Sequence, residues 1–212
     1  MSERGFYEKA AKLEATEAIK EIEAQTAAEV VVTLRSVSSS YRAADYLVGF
    51  AFALITLLLL LFLPMPFPLW SFPLNVVLGF VCGVLFSSYV PAVRRAFTTE
   101  KQRHEAVHRA ARSAFVDLGV HRCSGRWGIL VFIATFERTA EVVGDLAIDP
   151  KDEGFAAAVR AMQAAVARTD RPAFVTALKS LGPVLARMHP HRDDDVNELP
   201  DEVGDDSEAA TA

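Results

Sequence analysis

Residues 47–63 read LVGFAFALITLLLLLFL, and residues 74–90 read LNVVLGFVCGVLFSSYV. Neither run contains a charged residue, and each is about long enough to cross the hydrocarbon core of a bilayer as a helix. The ten residues between them, PMPFPLWSFP, contain too many prolines to continue a helix. The sequence therefore predicts a transmembrane helical hairpin over residues 41–93, with spans at about 47–63 and 74–90, in contact with a lipid bilayer.

Basic residues flank the hairpin on its outer ends and are absent from the linker between the runs. They are Arg35 and Arg42 before the first run, and Arg94, Arg95, Lys101 and Arg103 after the second. By the positive-inside rule, this distribution predicts a multi-pass protein with both termini in the cytoplasm. The alternative, a buried hairpin in a soluble protein, is disfavoured because the runs are apolar on all sides.

Two glycines stand four residues apart in the second run, at Gly79 and Gly83. Such a small-xxx-small step lets two helix backbones approach closely. We expect it to pack the second span against Gly49, Ala51 and Ala53 of the first. Packing against a second copy of the chain is the alternative.

The remaining residues are sufficient for one soluble domain, divided by the hairpin into residues 1–40 and 94–190, with an acidic tail at 191–212. The net charge is −5, but nine acidic and no basic residues lie in the last 20 positions, so the body is net basic. Basic residues are not interleaved with aromatics in a stripe, and we therefore expect no nucleic-acid partner. Two cysteines, Cys82 and Cys123, cannot form a disulfide framework.

Apolar periodicity predicts four helices and three strands outside the hairpin. The helices are expected at 3–25, 92–118, 151–168 and 172–188, and the strands at 29–35, 127–135 and 140–146. The strand at 29–35 must pair with one of the other two, because alone it would leave an apolar edge exposed. This order of elements predicts an α/β fold in which helices flank a small sheet.

The segment at 128–148, GILVFIATFERTAEVVGDLAI, resembles the core of the TPM domain family. Residues 27–32, AAEVVV, look like the first strand of that family, and residues 190–202, PHRDDDVNELPDE, are similar to the ending of its bacterial membrane-embedded branch. The resemblance implies a small mixed sheet between helices and a place in the bacterial inner membrane. It also implies a bound divalent cation, Ca²⁺ or Mg²⁺, and either an auxiliary role in a membrane complex or a weak phosphatase activity.

Two functions from different classes are consistent with this reading. The first is a membrane-anchored, non-catalytic or weakly active accessory module that supports or regulates a membrane complex. The alternative is a divalent-cation-dependent phosphatase in which Asp145 is the main metal ligand. Because ligand sites of α/β folds tend to lie at strand ends, Asp145, Glu137 and Arg138 are the candidate residues, with the two acids as metal ligands. Glu137 and Arg138 have an equally good interpretation as an exposed hairpin turn.

Residues 104–108 match the H-E-x-x-H pattern through His104, Glu105 and His108. On a helix, this spacing places both imidazoles on one face, as in zinc proteases. No third ligand follows at the extended metalloprotease spacing, since Ala114 stands there. A zinc protease is therefore a distant third hypothesis, and a charged helix with solvated histidines is the preferred interpretation.

Asp193, Asp195 and Asn197 copy the first three ligand positions of an EF-hand loop. Glu198 occupies the position of the turn glycine and Gly204 that of the bidentate glutamate, so an EF-hand is disfavoured. We instead expect residues 191–200 to dock on the body, with Leu199 as the apolar anchor. Residues after Glu202 are expected to stay mobile.

Overall fold

The computed structural model describes residues 9–64, 68–123, 125–191, 198–199 and 203–205 of the 212-residue chain. Its contacts divide the chain into two units. The first comprises Met1–Ser38 and His104–Ala212, and the second Ser39–Arg103. The helices are α1 Lys9–Glu23, α2 Arg42–Phe62, α3 Ser71–Tyr89, α4 Pro91–Ala96, α5 Glu100–Asp117, α6 Glu153–Ala167, α7 Arg171–Lys179 and α8 Leu181–Met188. The strands are β1 Val30–Arg35, β2 Ile129–Ala134, β3 Thr139–Gly144 and β4 Gly204–Asp205.

The first unit is built on a mixed sheet of four strands in the order β3-β2-β1-β4. β1 and β2 pair in parallel over six residues, from Val30 with Ile129 to Arg35 with Ala134. β3 runs antiparallel to β2, whereas the two-residue β4 runs parallel to β1. The predicted α/β class, with a small sheet flanked by helices, is confirmed, and the strand predicted at 29–35 pairs with the strand predicted at 127–135.

Helices cover the two faces of this sheet, which explains why β1 and β2 are apolar without alternation. One face presents Val30, Val32 and Leu34 to a core shared with α1, α6, α7 and α8. The other face presents Val31, Leu130 and Phe132, and α5 packs there. The α5 residues in this second cluster are Val107, Ala111, Ala114 and Phe115.

Two of the predicted helices are interrupted. The helix predicted at 92–118 breaks between α4 and α5, because Thr99 and Gln102 form a capping box that begins a new helix. The Gln102 N–H donates to Thr99 Oγ1 at 3.3 Å, and the Thr99 N–H donates to Gln102 Oε1 at 3.1 Å. The helix predicted at 172–188 divides into α7 and α8 at Ser180, whose hydroxyl donates to the Ala177 carbonyl at 2.6 Å.

In the second unit, α2 and α3 pack against each other through glycines. A Cβ added to Gly83 would lie 2.8 Å from Phe52 Cβ and 2.9 Å from Gly49 Cα, and one added to Gly49 would lie 2.7 Å from Val84 Cγ2. No side chain fits in either place without moving the helices apart. The small-xxx-small step is thus used within the chain, as the sequence predicted.

The remaining surface of this helix pair is apolar and exposed. In an apolar window of 18 residues, only 22% of the window is buried in α2 and only 17% in α3. The exposed side chains include Phe50, Leu54, Leu58, Leu61, Val77, Val81 and Leu85. Both helices are long and apolar enough to cross a membrane.

Candidate functional site

Two buried carboxylates meet at one end of the sheet. Glu29 directly precedes β1, and its carbonyl accepts the Ile129 N–H at 2.8 Å. Asp145 directly follows β3, and its N–H donates to the Gly128 carbonyl at 2.9 Å. Because β3 runs antiparallel to β2, the carboxyl end of β3 lies beside the amino ends of β1 and β2. Glu29 is 8% exposed and Asp145 7% exposed.

One oxygen of Asp145 accepts a hydrogen bond, and the other lies near a cation. Oδ1 accepts the Leu146 N–H at 2.7 Å, and Oδ2 lies 3.5 Å from the Arg126 guanidinium. Arg126 also donates to the His121 carbonyl at 3.0 Å, which holds the cation in place. Asp145 Oδ2 is buried and accepts no hydrogen bond within the described residues, so Arg126 balances its charge at ion-pair distance without a hydrogen bond.

Cys123 lies within the electrostatic reach of these acids. Burial raises the pKa of its thiol to about 11, and the negative charges of Glu29, Glu198 and Asp145 add to this shift. The thiol is thus held in its neutral form at physiological pH. Neither Glu29 nor Cys123 was among the residues expected at this site. The signal for Glu29 in the sequence is an acidic residue placed directly before a strand rich in valine.

Glu137 lies at the opposite end of the sheet from Asp145. Its Oε1 accepts the Ser38 N–H at 2.9 Å, and the residue is 6% exposed. The whole of β3 separates it from Asp145, a distance on the order of 20 Å for an extended strand. The structure does not bring the two predicted metal ligands together, and they cannot bind one ion. Arg138 is exposed and has a φ of 53°, as expected of the tight turn between β2 and β3.

The H-E-x-x-H residues lie on α5, where His104, Glu105 and His108 are exposed. The Nδ1 atom of His108 is 2.8 Å from Glu141 Oε1 on β3, so this histidine pairs across to the sheet. Among the residues that the structure describes, no group of three His, Cys, Asp or Glu side chains could hold a metal ion.

The C-terminal segment contacts the body, and it does so further along the chain than predicted. Asn197 lies outside the described residues. Leu199 is half-buried against the core cluster under α5, and the Glu198 N–H donates to Glu29 Oε1 at 3.2 Å. The expected mobility after Glu202 is wrong for the residues immediately following: Val203 is 7% exposed, and β4 pairs with β1.

A buried ion pair in the second unit was also not foreseen, because α2 begins at Arg42 and so includes Asp45. The Arg94 guanidinium donates to both oxygens of Asp45, from Nε at 2.9 Å and from Nη2 at 2.8 Å. The Ser87 hydroxyl donates to the same carboxylate at 2.7 Å. Asp45 is 5% exposed and Ser87 fully buried.

Comparison with known proteins identifies a shared fold. The chain is similar to the NMR structure of the BA42 protein from the psychrophilic bacterium Bizionia argentinensis, with a TM-score of 0.56 at 15% sequence identity. The match covers 93% of this chain and 94% of that one. No protein-family model matches the chain, and no curated protein matches it.

Proposed function

We propose that the chain is a membrane-anchored protein in which α2 and α3 form the anchor. The α/β unit would then serve as an accessory or regulatory module of a membrane complex in the bacterial inner membrane. The observation that carries this proposal is the exposed apolar surface of the helix pair. A hairpin from the core of a soluble protein would bury most of that surface, whereas here less than a quarter of each apolar window is buried.

The flanking charges support an orientation with both termini in the cytoplasm. Arg42 at the start of α2 and Arg94 and Arg95 in α4 lie next to the apolar helices, and the linker between the helices has no basic residue. Arg94 is paired with Asp45. Arg42 and Arg95 are expected to lie near anionic lipid headgroups. In this orientation the α/β unit faces the cytoplasm.

The accessory role is supported by the resemblance to the TPM family and by the state of the candidate residues. Asp145 is engaged by Arg126, His108 by Glu141 and Glu137 by Ser38. These contacts give each of the three side chains a partner within the fold. A partner membrane protein would then be the target of the module, and nucleic acid would not.

The alternative function is a divalent-cation-dependent phosphatase, which is favoured by the two buried carboxylates of Glu29 and Asp145 at one end of the sheet. The detergent-purified chain should be assayed for turnover of a generic phosphate ester, with and without Ca²⁺ or Mg²⁺. The accessory role predicts turnover at background level under each condition. Metal-dependent turnover that Asp145→Asn abolishes would favour the phosphatase.

The membrane anchor is tested by placing charge on the exposed face of α2. Leu54, Leu58 and Leu61 are 57%, 44% and 59% exposed and lie on one side of that helix. If this side faces lipid, replacing all three with Arg costs about 2.5–3.5 kcal/mol per residue near the bilayer centre. The variant should then no longer be recovered in the membrane fraction that resists alkaline extraction.

The matched control is Leu13→Arg on α1, where the leucine is 61% exposed in the other unit. It should not change the fraction of protein in the membrane. If the triple-Arg variant is folded and soluble and the parent chain is equally soluble, the helix pair is not an anchor.

A further inference from the structure

Every charged residue of the second unit lies at one end of the helix pair. The unit contains five basic and two acidic residues, all of them within residues 42–45 and 94–103. α2 begins and α3 ends beside these two stretches, which together form what we call the open end of the hairpin. Because its net charge is +3, the open end is complementary to an anion.

An arginine of α4 fixes that short helix to the open end. Arg94 donates from Nε at 2.9 Å and from Nη2 at 2.8 Å to the two oxygens of Asp45 on α2. These two nitrogens form one edge of the guanidinium, which suits a carboxylate or a phosphate group. The exposed Arg42 precedes Asp45 by three positions, so it lies about one helical turn from this contact and adds a further positive charge near α4.

A second arginine is held at the other end of α4 through a single nitrogen. Arg103 Nη1 donates to the Arg95 carbonyl at 3.1 Å, to the Thr98 carbonyl at 2.6 Å and to Thr98 Oγ1 at 3.2 Å. In the part of the chain that the structure describes, Nη1 makes all of the hydrogen bonds of this side chain. Nε and Nη2 form the same edge with which Arg94 binds a carboxylate. This edge of Arg103 is therefore held in position and is available to two oxygens of a phosphate.

Exposed aromatic side chains border the open end. Tyr46 is 48% exposed, Tyr89 is 82% exposed and Phe97 is 45% exposed. Aromatic residues in such positions are typical of the layer between lipid headgroups and acyl chains. An anion bound here would lie next to the exposed apolar side of α2 and α3, which acyl chains would cover. These features favour the phosphate of a lipid over free phosphate as the anion.

We propose that the open end of the hairpin binds the phosphate group of an anionic phospholipid through the Nε and Nη2 edge of Arg103, with Arg42 as a second positive charge. An anionic headgroup is preferred to a zwitterionic one, because the ammonium of choline or ethanolamine would meet a net positive surface. The inference rests on the proposed membrane anchor. It adds a lipid partner and assigns the recognition of its phosphate to one edge of one arginine.

The test uses the full-length chain in detergent, titrated with phosphatidylglycerol, with phosphatidylcholine or with inorganic phosphate. Native mass spectrometry measures the affinity for each lipid. We expect the parent chain to bind phosphatidylglycerol about tenfold more tightly than phosphatidylcholine, and inorganic phosphate not to displace it. Arg103→Gln should abolish this preference, and Arg42→Gln should reduce it by about threefold.

The matched control is Arg109→Gln, which removes the same charge from an exposed position of α5 and should keep the preference of the parent chain. The unfolding midpoint in lipid-free detergent shows whether each variant is folded, and Arg42→Gln provides the test if Arg103→Gln does not fold. Equal affinity of the parent chain for the two lipids, equal effects of the site variants and Arg109→Gln, or displacement of phosphatidylglycerol by inorganic phosphate would each overturn the proposal.

Alkaline extraction of the parent chain from membranes separates this proposal from the anchor on which it rests. Loss of the parent chain from the membrane fraction would contradict the anchor. Retention in the membrane together with equal affinity for the two lipids would contradict the lipid site alone.

Discussion

Asp45 and Arg94 show how a single charged pair constrains an apolar helix pair. The carboxylate receives two hydrogen bonds from the guanidinium and one from Ser87, so both charges are satisfied at a position that excludes most water. Asp45 belongs to α2, Ser87 to α3 and Arg94 to α4. The cluster therefore fixes three helices of the second unit relative to one another.

Removing one partner of this pair should lower the free energy of unfolding more than removing both. Arg94→Gln leaves the Asp45 carboxylate buried without its cation, and we expect a loss of about 3–5 kcal/mol in the free energy of unfolding. The double variant Asp45→Asn, Arg94→Gln should recover much of that loss. Thermal unfolding in detergent provides the measurement, with the exposed Arg42→Gln as the control. A single variant as stable as the double variant would contradict the role assigned to the pair.

The Cys123 thiol makes stability depend on pH in the alkaline range. Its pKa is raised from 9.0 to about 11 in the folded chain, chiefly by burial. Below pH 9 the thiol is neutral in both states and its favourable contribution is fully present. As pH rises from about 9 to 11, the unfolded chain loses the proton first, so the contribution is lost.

We therefore expect the free energy of unfolding to fall by about 1–2 kcal/mol over this pH range because of Cys123, since solvent screening reduces the effect of the neighbouring carboxylates. Urea unfolding at pH 8, 9, 10 and 11 should show a shallower fall for Cys123→Ala than for the parent. Cys82→Ala serves as the control. Parallel pH profiles for the parent and Cys123→Ala would show that the thiol is not protected in the folded chain.

At the scale of elements, the pairing of α2 and α3 depends on close approach at Gly49 and Gly83. Gly83→Val would place its side chain within the space of Phe52 Cβ and Gly49 Cα. We expect the helices to separate and the unit to lose about 1–3 kcal/mol of stability. The control is Val81→Leu, because Val81 is 44% exposed on the same helix. Equal thermal stability of both variants in detergent would mean that the glycines do not set the spacing.

The strands were predictable from sequence, whereas the helix boundaries were predictable only in part. β1 and β2 are short, mostly apolar and rich in branched side chains, so local pattern and tertiary burial agree. The break between α4 and α5 was missed because the surrounding Ala and Arg residues suit a helix throughout. The signal for the break was the Thr99 and Gln102 spacing of a capping box, which depends on two residues.

The candidate site was less predictable than the fold because it depends on strand order and direction. Asp145 and Glu137 both lie at strand ends, but β3 runs antiparallel to β2 and carries them to opposite ends of the sheet. Glu29 and Asp145 are 116 positions apart in the sequence. The two carboxylates lie at the same end of the sheet only because Val30 pairs with Ile129 and Ile129 pairs with Gly144.

At the scale of the whole molecule, an α/β unit is formed by two separate parts of the chain, and an apolar helix pair is inserted between them. β1 precedes the insertion and β2 follows it, and their parallel pairing across six residues unites the two parts. The C-terminal segment then adds β4 to the outer edge of β1. In the sequence, the insertion thus lies between two neighbouring strands of one sheet. If it anchors the chain in a membrane as a hairpin, both termini lie on the same side.

The topology of the helix pair is the most direct test of this account. Alkaline phosphatase, which is active only outside the cytoplasm, should be fused in one chain after the C-terminus and in another within the linker at 64–73. We predict activity from the linker fusion and none from the C-terminal fusion, with both chains in the membrane fraction. An active C-terminal fusion, or an inactive linker fusion of a chain recovered in the soluble fraction, would contradict the hairpin anchor and its orientation.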